Sequence, residues 1–200
     1  ARTRCVEEMY KGEPAGFFNY GYIEDLEGID EKNLYEYYQN LLKECKIDIF
    51  VSGKVDIEKT LEIIKENNEI NGLEPRKANY IVNQITAKSD VEEKSVEEKQ
   101  DVTQGKLVIG CDIVFNEDDL KDENLRCEAM LYNSLLGGSA NSKLFQNVRE
   151  KASLAYSASS SYVRYKSNIF ITAGIEIDNY EKALEIIRKQ IEDLKNGDFT

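Results

Sequence analysis

The apolar positions of this chain follow two periods, and each predicts its own kind of element. Helical stripes recur every three to four residues. In "EKNLYEYYQNLLKECK", Leu34, Tyr37, Tyr38, Leu41, Leu42 and Cys45 share one face, and Asp30 stands where a helix N-cap belongs. A second helix runs roughly from Ile57 to Asn67 behind Asp56 as its cap. A third lies within "DDLKDENLRCEAMLYNSLLGG", where Leu125, Ala129, Leu131, Tyr132, Leu135 and Leu136 form a stripe closed by Gly137 and Gly138. "NSKLFQNVREK" predicts a shorter helix. Asp178 precedes a last one, with Ala183, Ile186, Ile187, Ile191 and Leu194 as its apolar face.

Alternation with a period of two marks the strands. Ile47, Ile49 and Val51 alternate with Asp48 and Ser52, although Phe50 breaks the pattern. "GKLVIGCDIVF" is a strand, and "SLAYSASSSYVRY" and "NIFITAGIEI" pair antiparallel across "KS". The opening "RTRCVEEMYKGEP" is the tail of a helix stopped by Gly12 and Pro14. The order is thus helix, helix, strand, helix up to about residue 68, then β-α-α-β-β-α from 105 onward. Such an order predicts two-layer α+β lobes, each a mostly antiparallel sheet with helices on one face. Residues 1–68 form the first lobe, 69–104 a linker and 105–200 the second. The linker is polar and charged, with a β-branched stretch expected to pair as an edge strand near Tyr80 to Ile85. Both ends of the chain read as cut inside elements.

Charge and composition then narrow the chemistry. Acidic side chains outnumber basic ones 38 to 26, a net charge of −12, so the chain lacks the basic face that nucleic acid or an anionic membrane requires. Acidic runs such as "EEKSVEEK" read as a solvated edge rather than a metal site. The chain contains no histidine. That excludes Ser–His and Cys–His nucleophiles and any histidine-based zinc site within these residues. Cys5, Cys45, Cys111 and Cys127 show no CxxC spacing and read as reduced, mostly buried thiols. "GKVD" lacks the glycine spacing of a phosphate loop. With no signal peptide and no long apolar run, a cytoplasmic location is expected.

One stretch carries more specific information. "LLGGSANSKLFQNVREKASLAYS" resembles the insulinase family of zinc peptidases, which includes pitrilysin and the mitochondrial processing peptidase, through "LGG", "LF..VREK" and "LAYS" in that order. "GYIEDLEGIDEKNLYEYYQNLLKECKIDIFVSGKVD" is similar to the end of a catalytic-type domain of that family. The resemblance covers most of residues 12–56 and 105–199 and leans toward bacterial members that work in pairs. It implies a processing-peptidase-like fold with two homologous domains or subunits. One binds zinc through an inverted H-x-x-E-H motif, whose glutamate activates a zinc-bound water. The other lacks zinc and holds the peptide with an arginine and a tyrosine. At matching positions stand Arg149 and Tyr156.

The resemblance therefore implies a peptide substrate and a homologous peptidase domain or subunit as partner. It places zinc in the parent protein or that partner, with no catalytic or metal-binding residue in this chain. A non-catalytic partner subunit that binds peptide or the active subunit is the alternative, and a purely structural homologue is a third. Judged without the resemblance, Arg149 reads as a surface ion-pair residue and Tyr156 as a half-buried strand residue. Ser153 departs from the pattern, since the family has glycine in the turn before "LxY". A serine held at positive φ is strained, so a changed turn here would reorient Tyr156. Gly137 and Gly138 read as a helix end that lets the next helix pack closely.

Overall fold

The computed structural model describes residues 1–70, 72, 92–114, 119 and 122–199. The chain divides into two compact units, residues 1–19 with 84–200, and residues 20–83.

The first unit is built on an antiparallel sheet of β1 (Gly105–Asp112), β2 (Ala155–Val163) and β3 (Asn168–Ile175) in the order β1-β3-β2. β1 pairs with β3 in unbroken register from Gly105 opposite Ile175 to Asp112 opposite Asn168. Central β3 is buried along its length except at Thr172, as its sequence "NIFITAGI" requires of a strand covered on both faces. On one face lie α4 (Glu123–Leu136), a π-helix (Phe145–Lys151) and α5 (Tyr180–Lys195). Leu136, Leu144, Val148, Ala183, Ile187 and Leu194 pack there against Ile169, Ile171, Ala173 and Ile175. The one buried polar side chain on α5, Gln190, accepts a 2.6 Å hydrogen bond from the Asn147 amide, which satisfies it within the helical layer.

The other face carries α1 (Arg2–Met9). It comes so close to β1 that a Cβ at Gly110 would lie 2.1 Å from Met9 Sδ and 3.2 Å from Cys5 Sγ. Arg2 stacks over the Phe170 ring at 4.9 Å. The Tyr10 hydroxyl donates to Asn168 Oδ1 at 2.6 Å, and the Asn168 amide in turn donates to Asp112. Burial, reinforced by the Asp112 charge, pushes the Tyr10 hydroxyl up to about 12. Gly12 lies at positive φ, and the helix stops ahead of it as expected.

The second unit is described by itself. It contains α2 (Glu31–Glu44) and α3 (Ile57–Ile70). Asp30 closes a capping box on α2, accepting from the Lys32 and Asn33 amides, and Asp56 accepts from the Lys59 amide ahead of α3. Both caps lie where the sequence puts them.

Several expectations are corrected. Residues 47–51 carry a strand's alternation but lie in no ladder among the described residues, and Ile47, Ile49 and Val51 are each about half exposed. A strand exists only as one member of a pair, so alternation alone does not make one. The apolar stripe of α2 forms but is not buried. Leu131 of α4 points outward at 61% exposure, off the stripe that buries Ala129 and Leu136. Asp178 falls inside a 3₁₀ turn (Ile177–Asn179), and α5 starts behind Asn179 without a side-chain cap. All four cysteines are free, but Cys45 and Cys127 are exposed and Cys5 and Cys111 only half-buried. The edge strand expected near Tyr80 to Ile85 lies outside the described residues.

Candidate functional site

Two departures from regular geometry bring Arg149 and Tyr156 together. The first is the π-helix Phe145–Lys151, whose wide turn carries Arg149. The chain leaves it by wide closures, Ala152 N–H to the Asn147 carbonyl at 3.2 Å and, one residue wider, Leu154 N–H to the Val148 carbonyl at 3.1 Å. Ser153 then takes φ +52°. The turn thus keeps the left-handed residue that glycine serves elsewhere, and the cost of a serine there is accepted.

The second departure is a bulge in β2. Ala155 opposes Ile175 and Ser157 opposes Gly174, so Tyr156 is the extra residue between them. A bulge turns a side chain off the strand's alternation. Ala155 stays in the core while Tyr156 stands out at 63% exposure.

Arg149, Glu150, Ser153, Leu154, Tyr156 and Glu176 line an open groove of about 340 Å³. Within it the Arg149 guanidinium lies over the Phe145 ring at 4.5 Å, and its Nε is 3.7 Å from Glu150 Oε1. That ion pair is largely solvent-exposed and worth little. The ring contact orients the guanidinium without using its donor edge. The Tyr156 hydroxyl donates to Glu176 Oε1 at 3.4 Å, a long bond that leaves the hydroxyl easy to redirect. Chemically the groove offers a fork of N–H donors, a phenolic donor and a carboxylate. Such a set suits the carbonyls and side chains of an extended peptide.

Sequence reasoning named Arg149 and Tyr156, and both line this groove. It missed Phe145 and Glu176. Glu176 follows β3 and comes to Tyr156 only through strand pairing, which no local pattern announces. Gly137 and Gly138 do not line the groove. Gly137 caps α4, and a Cβ there would lie 2.3 Å from the Ser160 nitrogen and 2.8 Å from Leu144 Cδ1. A second concavity lies along the charged flank of α3 and is lined by Asp56 and residues of that helix, the open side of one helix rather than a built site.

The architecture, an antiparallel sheet with a helical layer on one face, defines an α+β protein. The comparisons place it further. The chain belongs to the family described as the peptidase M16 inactive domain, matched over residues 28–200. It is 37% identical over 202 residues to a protein of Bacillus subtilis (strain 168) named "Probable inactive metalloprotease YmfF", covering 100% of this chain and 45% of that protein. It is also 25% identical over 199 residues to the "Uncharacterized zinc protease YmxG" of the same organism, covering 96% of this chain and 44% of that protein.

Among solved structures, a conserved protein from Enterococcus faecalis V583 superposes with a TM-score of 0.80 at 25% identity, covering 100% of this chain and 45% of that one. A peptidase M16 inactive domain from Pseudomonas fluorescens gives 0.67 at 17% identity, covering 98% and 46%, a likeness of fold alone. The chain thus spans somewhat less than half the length of these relatives. Among the described residues no helix is long and apolar enough to cross a membrane.

The zinc that the resemblance implies finds no fitting donor set among the described residues. The sequence has no histidine, and among the described residues no three His, Cys, Asp or Glu side chains converge.

Proposed function

We propose that residues 105–200 are the peptide-holding, non-zinc domain of an insulinase-type zinc peptidase, that 1–68 end the preceding peptidase-like domain, and that 69–104 link the two. The observation that carries this reading is the convergence of Arg149 and Tyr156 on one groove through a π-turn and a bulge. Arg149 offers paired donors to a peptide carbonyl or carboxylate. Tyr156 donates to a carbonyl as that carbonyl gains negative charge. Zinc and its water are supplied by a homologous domain or subunit, in the cytoplasm.

A second reading is favoured by the printed name of the relative at 37% identity, a probable inactive metalloprotease. In it the groove holds peptide in a non-catalytic partner of an active subunit. Zinc content of the full-length protein, purified without chelators, decides between them. About one zinc per chain supports the hydrolytic reading, and none supports the silent partner. Arg149→Ala and Tyr156→Phe test the groove in either case. Peptide affinity is expected to fall in both variants, and turnover, where present, to fall about a hundredfold in Tyr156→Phe. Unchanged binding and turnover in both would reject a peptide-holding role and leave a structural homologue.

A further inference from the structure

We infer that Glu176 makes the groove selective for a peptide cation, so that the preferred substrate class is a peptide carrying a lysine, an arginine or a free α-amino group at the position beside Tyr156. The inference rests on the peptide-holding reading of the groove and deepens it.

The argument begins with charge pairing inside the groove. Arg149 has a ring and a carboxylate beside it, lying over Phe145 with Nε 3.7 Å from Glu150 Oε1, while its donor edge stays open. Glu176 is not similarly compensated. Its Oε1 accepts from the Tyr156 hydroxyl at 3.4 Å and its Oε2 from Asn179 Nδ2 at 3.2 Å. Both donors are neutral, and among the described residues no cation pairs with this carboxylate. The groove therefore holds two charged groups of different character: a guanidinium over an aromatic ring beside a carboxylate neighbour, and a carboxylate held by two neutral hydrogen bonds with no counter-ion among the described residues.

A peptide laid in the groove meets both groups. Its backbone carbonyl takes the Tyr156 hydroxyl, which releases one oxygen of Glu176 as it turns. A cationic group on the same peptide then finds that oxygen vacant. A neutral peptide instead leaves the carboxylate to water, and an acidic side chain is repelled. Recognition of the carbonyl and selection of the cation are thereby coupled through one hydrogen bond. Because the site is open, the discrimination is that of an exposed ion pair, about two- to fivefold in affinity, and it is screened by salt.

The test uses the full-length protein and fluorescein-labelled ten-residue peptides, identical except for one central residue: lysine, arginine, norleucine or glutamate. Each is made with a free and with an acetylated N-terminus. Wild type is expected to bind the lysine and arginine peptides two- to fivefold more tightly than norleucine, and glutamate more weakly still. A lysine or arginine preference that survives acetylation makes the side chain the cation recognised. Equal binding of the lysine, arginine and norleucine peptides, all weakened by acetylation, makes it the α-amino group.

Glu176→Gln is expected to abolish the discrimination between the lysine, arginine and norleucine peptides. Glu192→Gln, at the far end of α5, removes the same charge and is expected to retain it. Equal loss in both variants would assign the preference to the overall acidity of the chain and overturn the inference. So would full retention in Glu176→Gln. Arg149→Ala separates the two levels of argument. If it leaves all peptides bound as before, the peptide-holding reading fails. If it weakens all of them while Glu176→Gln changes no ratio, only the cation inference fails.

Discussion

Residues 20–70 and the sheet unit carry apolar stripes of similar regularity, yet only one set is buried. In α5, Ala183, Ile187 and Leu194 are sealed against β3, while in α2 and α3 no residue is buried. The caps do not explain the difference, since α2 has a full capping box and α5 starts with no side-chain cap at all. Helix formation at these positions is a local affair of caps and propensity. Burial is a property of the partner surface, and in the sheet unit β3 supplies it from a distant part of the chain.

The sharpest way to break this comparison is to remove a matched leucine from each region. Leu144 is fully buried beneath the sheet, and Leu144→Ala is expected to cost about 2–5 kcal/mol through lost burial and the cavity left behind. Leu41 on α2 is 40% exposed, and Leu41→Ala is expected to stay within about 0.5 kcal/mol. Urea unfolding followed by circular dichroism measures both. An equal cost would mean that the α2 stripe is packed in solution and that the two regions do not differ.

The same contrast explains what the sequence made legible. Helices with a cap and a stripe could be read directly, down to Asp30 and Asp56. So could the β2–β3 hairpin, whose two alternating runs are joined by a short turn. The fold class and the family followed from these and from "LF..VREK" with "LAYS". What could not be read depended on pairing between distant segments. Residues 47–51 alternate as well as β1 does but have no ladder among the described residues, whereas β1 finds β3 about sixty residues on. The order β1-β3-β2 and the approach of Glu176 to Tyr156 are likewise pairing outcomes. The π-turn and the bulge were also invisible, because both are single-residue misfits between the local pattern and the packing around it.

A smaller effect sharpens the comparison at the glycines. Gly137 and Gly110 both allow close approach, but to different neighbours. A Cβ on Gly137 meets the Ser160 backbone nitrogen at 2.3 Å, where the Gly137 carbonyl also accepts the Ser160 N–H at 2.9 Å. Backbone cannot yield without breaking that bond, so Gly137→Ala is expected to cost about 1–3 kcal/mol. A Cβ on Gly110 meets the end of the Met9 side chain, which can swing away. Gly110→Ala should therefore cost less and act locally, raising hydrogen exchange in α1 while the amides of β3 stay protected. Loss of protection in β3 as well would show that α1 and the sheet open as one unit.

The smallest effect concerns Ser153, where two backbone terms oppose each other. The left-handed conformation at φ +52° costs a residue with a Cβ about 1–2 kcal/mol, which glycine does not pay. Glycine in turn loses about 0.5–1 kcal/mol through the greater freedom of its unfolded chain. The first term is the larger, so Ser153→Gly is expected to stabilise the sheet unit by a few tenths of a kcal/mol to about 1 kcal/mol, read as a higher urea midpoint with an unchanged slope. Ser153→Ala keeps the Cβ and the strain and should show no gain. If Ser153→Gly instead lowers the midpoint, the entropic term wins and the turn between the π-helix and β2 is not held left-handed. The aim of Tyr156 into the groove would then have to rest on the β2 bulge alone.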